Sequence, residues 1–206
     1  MKLTPDLFVF TDIEASALGV GSFPIEIGWA GVDLVPHHFL IKPHQTWTKE
    51  FWNPESEKIH NISWEQLMDE GIDPKVAAER VIDAFRQKLI ISDNPFYEAK
   101  WFLRLFEAVE IKADFVFRNP FGEVMTYIHD LYEAWGEAAN IEGTGRWENA
   151  QKIMDITEAV MRTFPHTHRA SDDAVQLAAT FKILVEPEWD YKAARKKFLP
   201  IGKVLK

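Results

Sequence analysis

The period of the apolar positions divides the chain into a strand-like part and a mostly helical part. Residues 7–12 (LFVFTD) form a short apolar run that ends in an acid. Residues 25–32 and 35–42 follow at close spacing, separated by the turn-forming Asp33. Three short apolar runs with brief connections predict an antiparallel meander. From residue 54 the period becomes helical. Residues 54–60 and 63–69 predict two short helices, and Ser63 with Gln66 has the capping-box spacing. Asp73 before Pro74 supplies an N-cap and a first-turn proline for a helix to residue 88. Residues 89–92 (LIIS) predict a short buried strand, 99–109 a helix, and 114–118 a fifth strand. Helices are predicted over 122–135, 147–163 and 172–185, with a glycine-containing loop at 140–146. Hairpin strands followed by alternating helices and strands predict an α/β fold, a mixed sheet flanked by helices.

Composition narrows this picture. The chain has 206 residues, 47% of them hydrophobic and 27% charged, which fits one globular domain with a sizeable core. There is no cysteine, so disulfide frameworks, thiolate metal sites and thiol nucleophiles are excluded. That absence fits a reducing compartment, and a cytoplasmic location is the expectation. The first residues do not read as a signal peptide, and no run approaches a membrane span, so no membrane partner is expected. The net charge of -9 argues against a large basic face for nucleic acid. It does not exclude an enzyme whose acidic site is neutralised by cations. Residues 191–206 carry six basic and no acidic side chains, leaving -15 on the rest of the chain. The expected organisation is one domain over 1–186 and a basic extension over 187–206. That extension reads either as a solvated tail or as an arm that touches phosphates.

Three segments carry candidate chemistry. Asp12 and Glu14 lie two apart at the end of the first strand, so their carboxylates share a face. Two like charges this close repel unless a cation sits between them, and Mg²⁺ takes such oxygen ligands. A strand running out into a solvated loop would also carry acids. His166, His168, Asp172 and Asp173 precede the apolar part of the last long helix. Asp172 or Ser171 could cap that helix. Capping does not account for the histidine five residues before Asp173, a side chain suited to take a proton near pH 7. Between these segments, Ser92-Asp93-Asn94-Pro95 ends a strand and Glu98 follows. Asp93 or Asn94 could be an ordinary cap. Trp29 and Trp101 fall at core positions. Trp47 and Trp52 sit in a loop with Phe51, to pack it or to stack on bases. His37, His38, His44 and His129 read as surface or structural.

In this order and spacing the three segments resemble the DEDDh family of 3'-5' exonucleases. These belong to the ribonuclease-H-like superfamily and include ribonuclease T, oligoribonuclease and the polymerase III proofreading subunit. Phe23-Pro24-Ile25-Glu26-Ile27-Gly28 is similar to the family's second strand, and His60-Asn61-Ile62-Ser63 to its His-Gly-Ile-Ser/Thr segment. The resemblance runs over residues 7–185. It implies a five-stranded mixed sheet and a two-metal site with Mg²⁺ or Mn²⁺ held by Asp12, Glu14, Glu98 and Asp173. The ions in such sites lie roughly 4 Å apart and clamp the scissile phosphate. The resemblance makes His168 the general base and matches the backbone of Ala15 and Ser16 and the side chain of Leu18 to positions that cradle the terminal nucleotide. The substrate would be single-stranded or short RNA or DNA, with release of nucleoside 5'-monophosphates. Small family members form dimers, so a homodimer is a further expectation. One position departs from the pattern. The family's central acid is an Asp, and aligning on Asn94 and Trp101 puts Glu98 there, about 1.5 Å longer by one C–C bond. Asp93 is the reserve ligand. A catalytically weak or inactive nucleic-acid-binding module that keeps the fold is the alternative this raises.

Overall fold

A computed structural model describes residues 4–112, 117–118, 146–186 and 188–202. Its sheet is built from β1 (Phe8–Ala15), β2 (Pro24–Ala30), β3 (His37–Leu40), β4 (Leu89–Ile91) and the two-residue β5 (Phe117–Arg118). The strand order is β3-β2-β1-β4-β5. The first three strands form the expected antiparallel meander, while β4 lies parallel to β1, and β5 parallel to β4. The expected five-stranded sheet is corrected to four full strands plus β5, of which two residues are described. Residues 114–116 of the predicted fifth strand lie outside the described residues, as do the helix predicted over 122–135, the loop at 140–145 and His129.

The described helices are α1 (Pro54–His60), α2 (Trp64–Glu70), α3 (Pro74–Phe85), α4 (Pro95–Ala108), α5 (Arg146–Thr163), α6 (Ala170–Val185) and α7 (Tyr191–Arg195). None is long and apolar enough to cross a membrane. Three caps act as their sequences suggest. Asn53 accepts from the Glu55 N–H, Ser63 from Gln66 and Asp73 from Lys75. The Gln66 amide does not close the box, since it donates instead to Glu70 at 2.9 Å.

Alternation along β1 builds two cores. Val9 and Ile13 face a layer containing Val81 and Phe85 of α3 and Phe102 and Leu105 of α4. Phe8 and Phe10 face Val175, Ala178, Ala179 and Phe181 of α6. Burying each such side chain contributes about 1.5–3 kcal/mol. With both faces covered, β1 reads as a continuous apolar run rather than an alternating one. Asp12 and Glu14 continue the Phe8–Phe10 register and so belong to the face covered by α6. Gly28 lies opposite Asp12 on β2. A Cβ at Gly28 would stand 2.2 Å from the Ala170 carbonyl carbon and the Ser171 nitrogen. The missing side chain lets the first turn of α6 settle on the sheet beside the two acids. Residues 188–202, expected as an extension beside the domain, pack onto it. Phe198 is buried, and Trp189, Tyr191 and Ala194 lie against the α6 core.

Candidate active site

The site lies at the carboxyl ends of the parallel strands β1 and β4, where β1 turns back into the hairpin strand β2 and β4 leads into α4. The crevice outside the carboxyl ends of the strands is where ligands bind in open α/β sheets. Here it is a cleft of about 330 Å³. Asp12 and Glu14 are half-buried on its floor, because β1 continues to Ala15 rather than ending at residue 12. Asp173 enters from the first turn of α6. One carboxylate oxygen from each of these three residues lies within 4.8 Å of the others. The groups come from opposite ends of the chain, and the positive groups that bear on them are His166 at Asp173 and, with it, Arg169 at Glu14. Burial pushes the Asp12 carboxyl well above the ordinary range, and Glu98, Glu14, Asp173 and Asp93 push it further. Burial, with Asp173 and Glu26 nearby, raises Glu14 to about 8. A converging, buried, oxygen-only donor set fits a hard divalent cation.

Glu98 lines the same cleft but is not part of that oxygen cluster. Helix α4 begins at Pro95, earlier than expected, which puts Glu98 in its first turn. β4 pairs β1 only as far as Phe10, so β1 beyond it is open on that edge. The Ile13 backbone N–H on that edge acts on the Glu98 carboxylate, in the direction of a lower pKa. Its Oε2 is buried with no partner among the described residues. Burial, Asp93 and Glu14 raise its pKa well above the usual carboxylate value. Asp93 is exposed at the rim. Neither Asp93 nor Asn94 caps α4 through its side chain, so ordinary capping does not account for the acids here.

Both histidines reach the cleft, although the sequence spacing singled out His168. His166 Nδ1 lies 3.2 Å from Asp173 Oδ1, and that bond raises its pKa. His168 has a positive φ of 54°, uncommon for a residue with a Cβ, and its ring centroid lies 4.3 Å from that of His166. Burial, and His166 beside it, lower the His168 pKa. Beneath the loop, Glu26 accepts from Arg169 Nε at 2.9 Å and Nη2 at 2.8 Å, from the Ala170 N–H at 3.1 Å, and bonds His38 at 2.9 Å. Arg169 occupies the N-cap position of α6 without a side-chain cap bond. Neither Asp172 nor Ser171 serves as the expected cap.

Two of the three residues matched to a nucleotide cradle line the cleft. Ala15 and Leu18 line the cleft together with Ala17. Ser16 does not: it is fully buried, its N–H donates to the Phe23 carbonyl, and its Oγ accepts from the Phe23 N–H. After the irregularity of register at Glu14 and Ala15, Ala17 rather than Ser16 lines the cleft. Further residues in and beside the cleft were given no role by the sequence. His60 is buried on α1, its Nδ1 accepts from the Ile62 N–H, and its Nε2 has no partner among the described residues. Burial lowers its pKa to about 4, so the ring is neutral near pH 7. Its place beside the Ile62-Ser63 segment was the available signal. Lys100 donates to the Leu18 and Gly19 carbonyls at 3.0 and 2.8 Å and to Ser22 Oγ at 3.1 Å. Trp101 Nε1 donates to the same Ser22 oxygen. Trp47 stacks on Phe23 and Trp52 Nε1 donates to Glu57, so both pack the loop.

No family model matches this chain, and no curated protein does. Among solved structures it is similar to product-bound exonuclease I, with a TM-score of 0.43 and 17% identity over 48% of this chain and 25% of that chain. It is also similar to Escherichia coli exonuclease I in complex with a dA16 oligonucleotide, with a TM-score of 0.42 and 17% identity over 48% and 23% of the two chains. The chain thus spans about a quarter of the length of those proteins, and a likeness this slight carries no conclusion about activity.

Proposed function

We propose that this chain is a metal-dependent 3'-5' exonuclease that releases nucleoside 5'-monophosphates from single-stranded or short nucleic acid. One observation carries the reading: Asp12, Glu14 and Asp173 converge within 4.8 Å in a cleft at the carboxyl ends of β1 and β4 that also holds two histidines. Asp12, Glu14 and Asp173, with Glu98 beside them, would hold Mg²⁺ or Mn²⁺. Bound there, such ions supply the charge neutralisation and water activation that phosphodiester hydrolysis requires.

The residues of the chain divide the remaining work. His168, whose burial favours the neutral ring, accepts the proton of the attacking water. His166, tied to Asp173, orients that carboxylate from outside. Leu18 and Ile59, exposed on the two lips of the cleft, offer apolar surface to a terminal base. His60 Nε2–H faces the cleft as an unspent donor for a sugar or phosphate oxygen. Without cations the acidic floor repels phosphate, so substrate binding and metal binding go together.

The test is an end-labelled assay on a single-stranded RNA and its DNA counterpart in Mg²⁺, in Mn²⁺ and in chelator, with Asp12→Ala as control. Stepwise shortening from the 3' end that needs both metal and Asp12 is the expected result. No shortening in either metal, with wild type matching Asp12→Ala, would reject the reading in favour of a binding module.

A further inference from the structure

Asp172 and Asp173 are adjacent, both are buried, and both lie in the first turn of α6, yet their carboxylates serve opposite sides. Asp173 faces the cleft. Asp172 faces away from it and accepts three hydrogen bonds: from the Thr167 hydroxyl at 2.6 Å, from the Gly202 N–H at 2.8 Å and from the Ile201 N–H at 3.1 Å. Thr167 is the knot between the two acids, because its own N–H donates to Asp173 Oδ1 at 2.9 Å. It sits between His166 and His168 in sequence. A continuous chain of bonds therefore runs from the backbone of 201–202 through Asp172 and Thr167 to Asp173 and the histidines.

The segment that supplies those N–H groups is itself fastened at the other end of the loop. Arg195 Nε donates to the Thr163 carbonyl at 3.0 Å, and its Nη1 to the Phe198 carbonyl at 2.9 Å. The Phe198 ring lies 5.9 Å from that of Phe164. The turn from α5 to α6, which carries both histidines, is thus gripped at its start by Arg195 and Phe198 and at its end by Ile201 and Gly202. The fit at Gly202 is close. A Cβ there would stand 2.3 Å from Thr167 Oγ1, so a larger residue must displace Thr167.

We propose that residues 195–202 form a strap that positions the histidine loop for hydrolysis, with Asp172, Thr167 and Gly202 as its positioning residues. What the strap positions rests on the exonuclease reading; the strap itself does not. Displacing Thr167 shifts the loop that orients Asp173 and both rings, whereas the lips that hold the nucleotide, Leu18 and Ile59, belong to other elements. The strap therefore acts on turnover rather than on substrate affinity.

The test uses the full chain with Gly202→Ala, Thr167→Val and Thr167→Ser. Misplacing a catalytic group by about 1 Å costs on the order of 10²-fold. Gly202→Ala and Thr167→Val are expected to lower kcat by roughly that order with KM within about twofold. Thr167→Ser, which keeps the hydroxyl, should retain most of the rate. The double variant should lose little beyond either single one, since both break one chain of bonds. A Gly202→Ala protein with wild-type kcat, or a loss appearing in KM instead, would overturn the proposal. If the wild type hydrolyses nothing, the exonuclease reading falls by itself, and amide hydrogen exchange still reads the strap. The Gly202 and Thr167 amides should then be protected together, with Gly202 losing protection in Thr167→Val; unchanged protection would reject the strap.

Discussion

Glu98 is the residue whose chemistry differs most from its expected counterpart, and the structure gives its extra methylene a use. The longer side chain brings its buried carboxylate under the influence of the Ile13 N–H at the open edge of β1. Shortening it withdraws a buried acceptor from that donor, at a cost of about 1–3 kcal/mol. Glu98→Asp is therefore expected to lower both thermal stability and kcat. A variant with higher activity and unchanged unfolding temperature would show instead that the glutamate is a handicap. The histidines offer a second test at this scale. His168→Ala is expected to lose about 10²–10⁴-fold in kcat while binding metal as before, the range for a general base. His166→Ala should weaken metal binding more than turnover, because its bond is to Asp173. The reverse pattern, read by metal titration and single-turnover kinetics, would exchange the two roles. Spacing to Asp173 could single out one histidine, but it could not show that the other holds that aspartate, since the turn at Thr167 brings both rings to the same carboxylate.

At the scale of elements, the site depends on how closely α6 approaches β2 and how α4 holds the loop after β1. Gly28→Ala places a methyl group against the backbone of Ala170 and Ser171, which cannot give way as a flexible side chain would. Overpacking of this kind costs about 1–3 kcal/mol, and the shift falls on the turn carrying Asp173. Gly28→Ala is expected to lower the unfolding temperature and to weaken divalent-metal binding together; normal metal affinity would show that α6 is placed by other contacts. Lys100→Met removes three hydrogen bonds that the ammonium donates to the loop of residues 18–22 and should raise KM several-fold with a smaller effect on kcat. An unchanged KM would detach that loop from substrate binding. Much of this arrangement was legible in the sequence. The order of strands and helices follows from local period, and the pairing of Asp12 with Glu14 follows from the two-residue repeat of a strand. The boundaries were less legible. β1 runs on to Ala15 because β2 continues to pair with it past the apolar run, and α4 starts at Pro95 because proline fits a first turn. Bonds such as Lys100 to Leu18 or Gly202 to Asp172 join side chains to distant backbone and leave no periodic trace.

Over the whole molecule, an acidic chain with buried acids at its cleft ties stability to proton and cation together. Glu14 is held near 8 in the folded protein, against 4.5 for a free glutamate, and Asp12 and Glu98 are also raised. Between the two values the folded state binds more protons than the unfolded one, so stability falls as pH rises. His166, whose pKa is also raised, contributes in the same direction. His60 and His168 oppose it, but only below the ordinary histidine value of 6.5, where the unfolded state takes up their protons. The window from about pH 6.5 to 8 is therefore governed by the carboxylates and His166. In chelator the unfolding temperature is expected to decline across it. Divalent cations bind the deprotonated acids and stabilise only the folded state, so the temperature gained on adding millimolar Mg²⁺ or Mn²⁺ should grow with pH through the same window. Asp12→Asn and Asp173→Asn should each flatten that growth. A cation effect equal at both ends of the window, or one that persists undiminished in Asp12→Asn, would place the bound ion away from these acids.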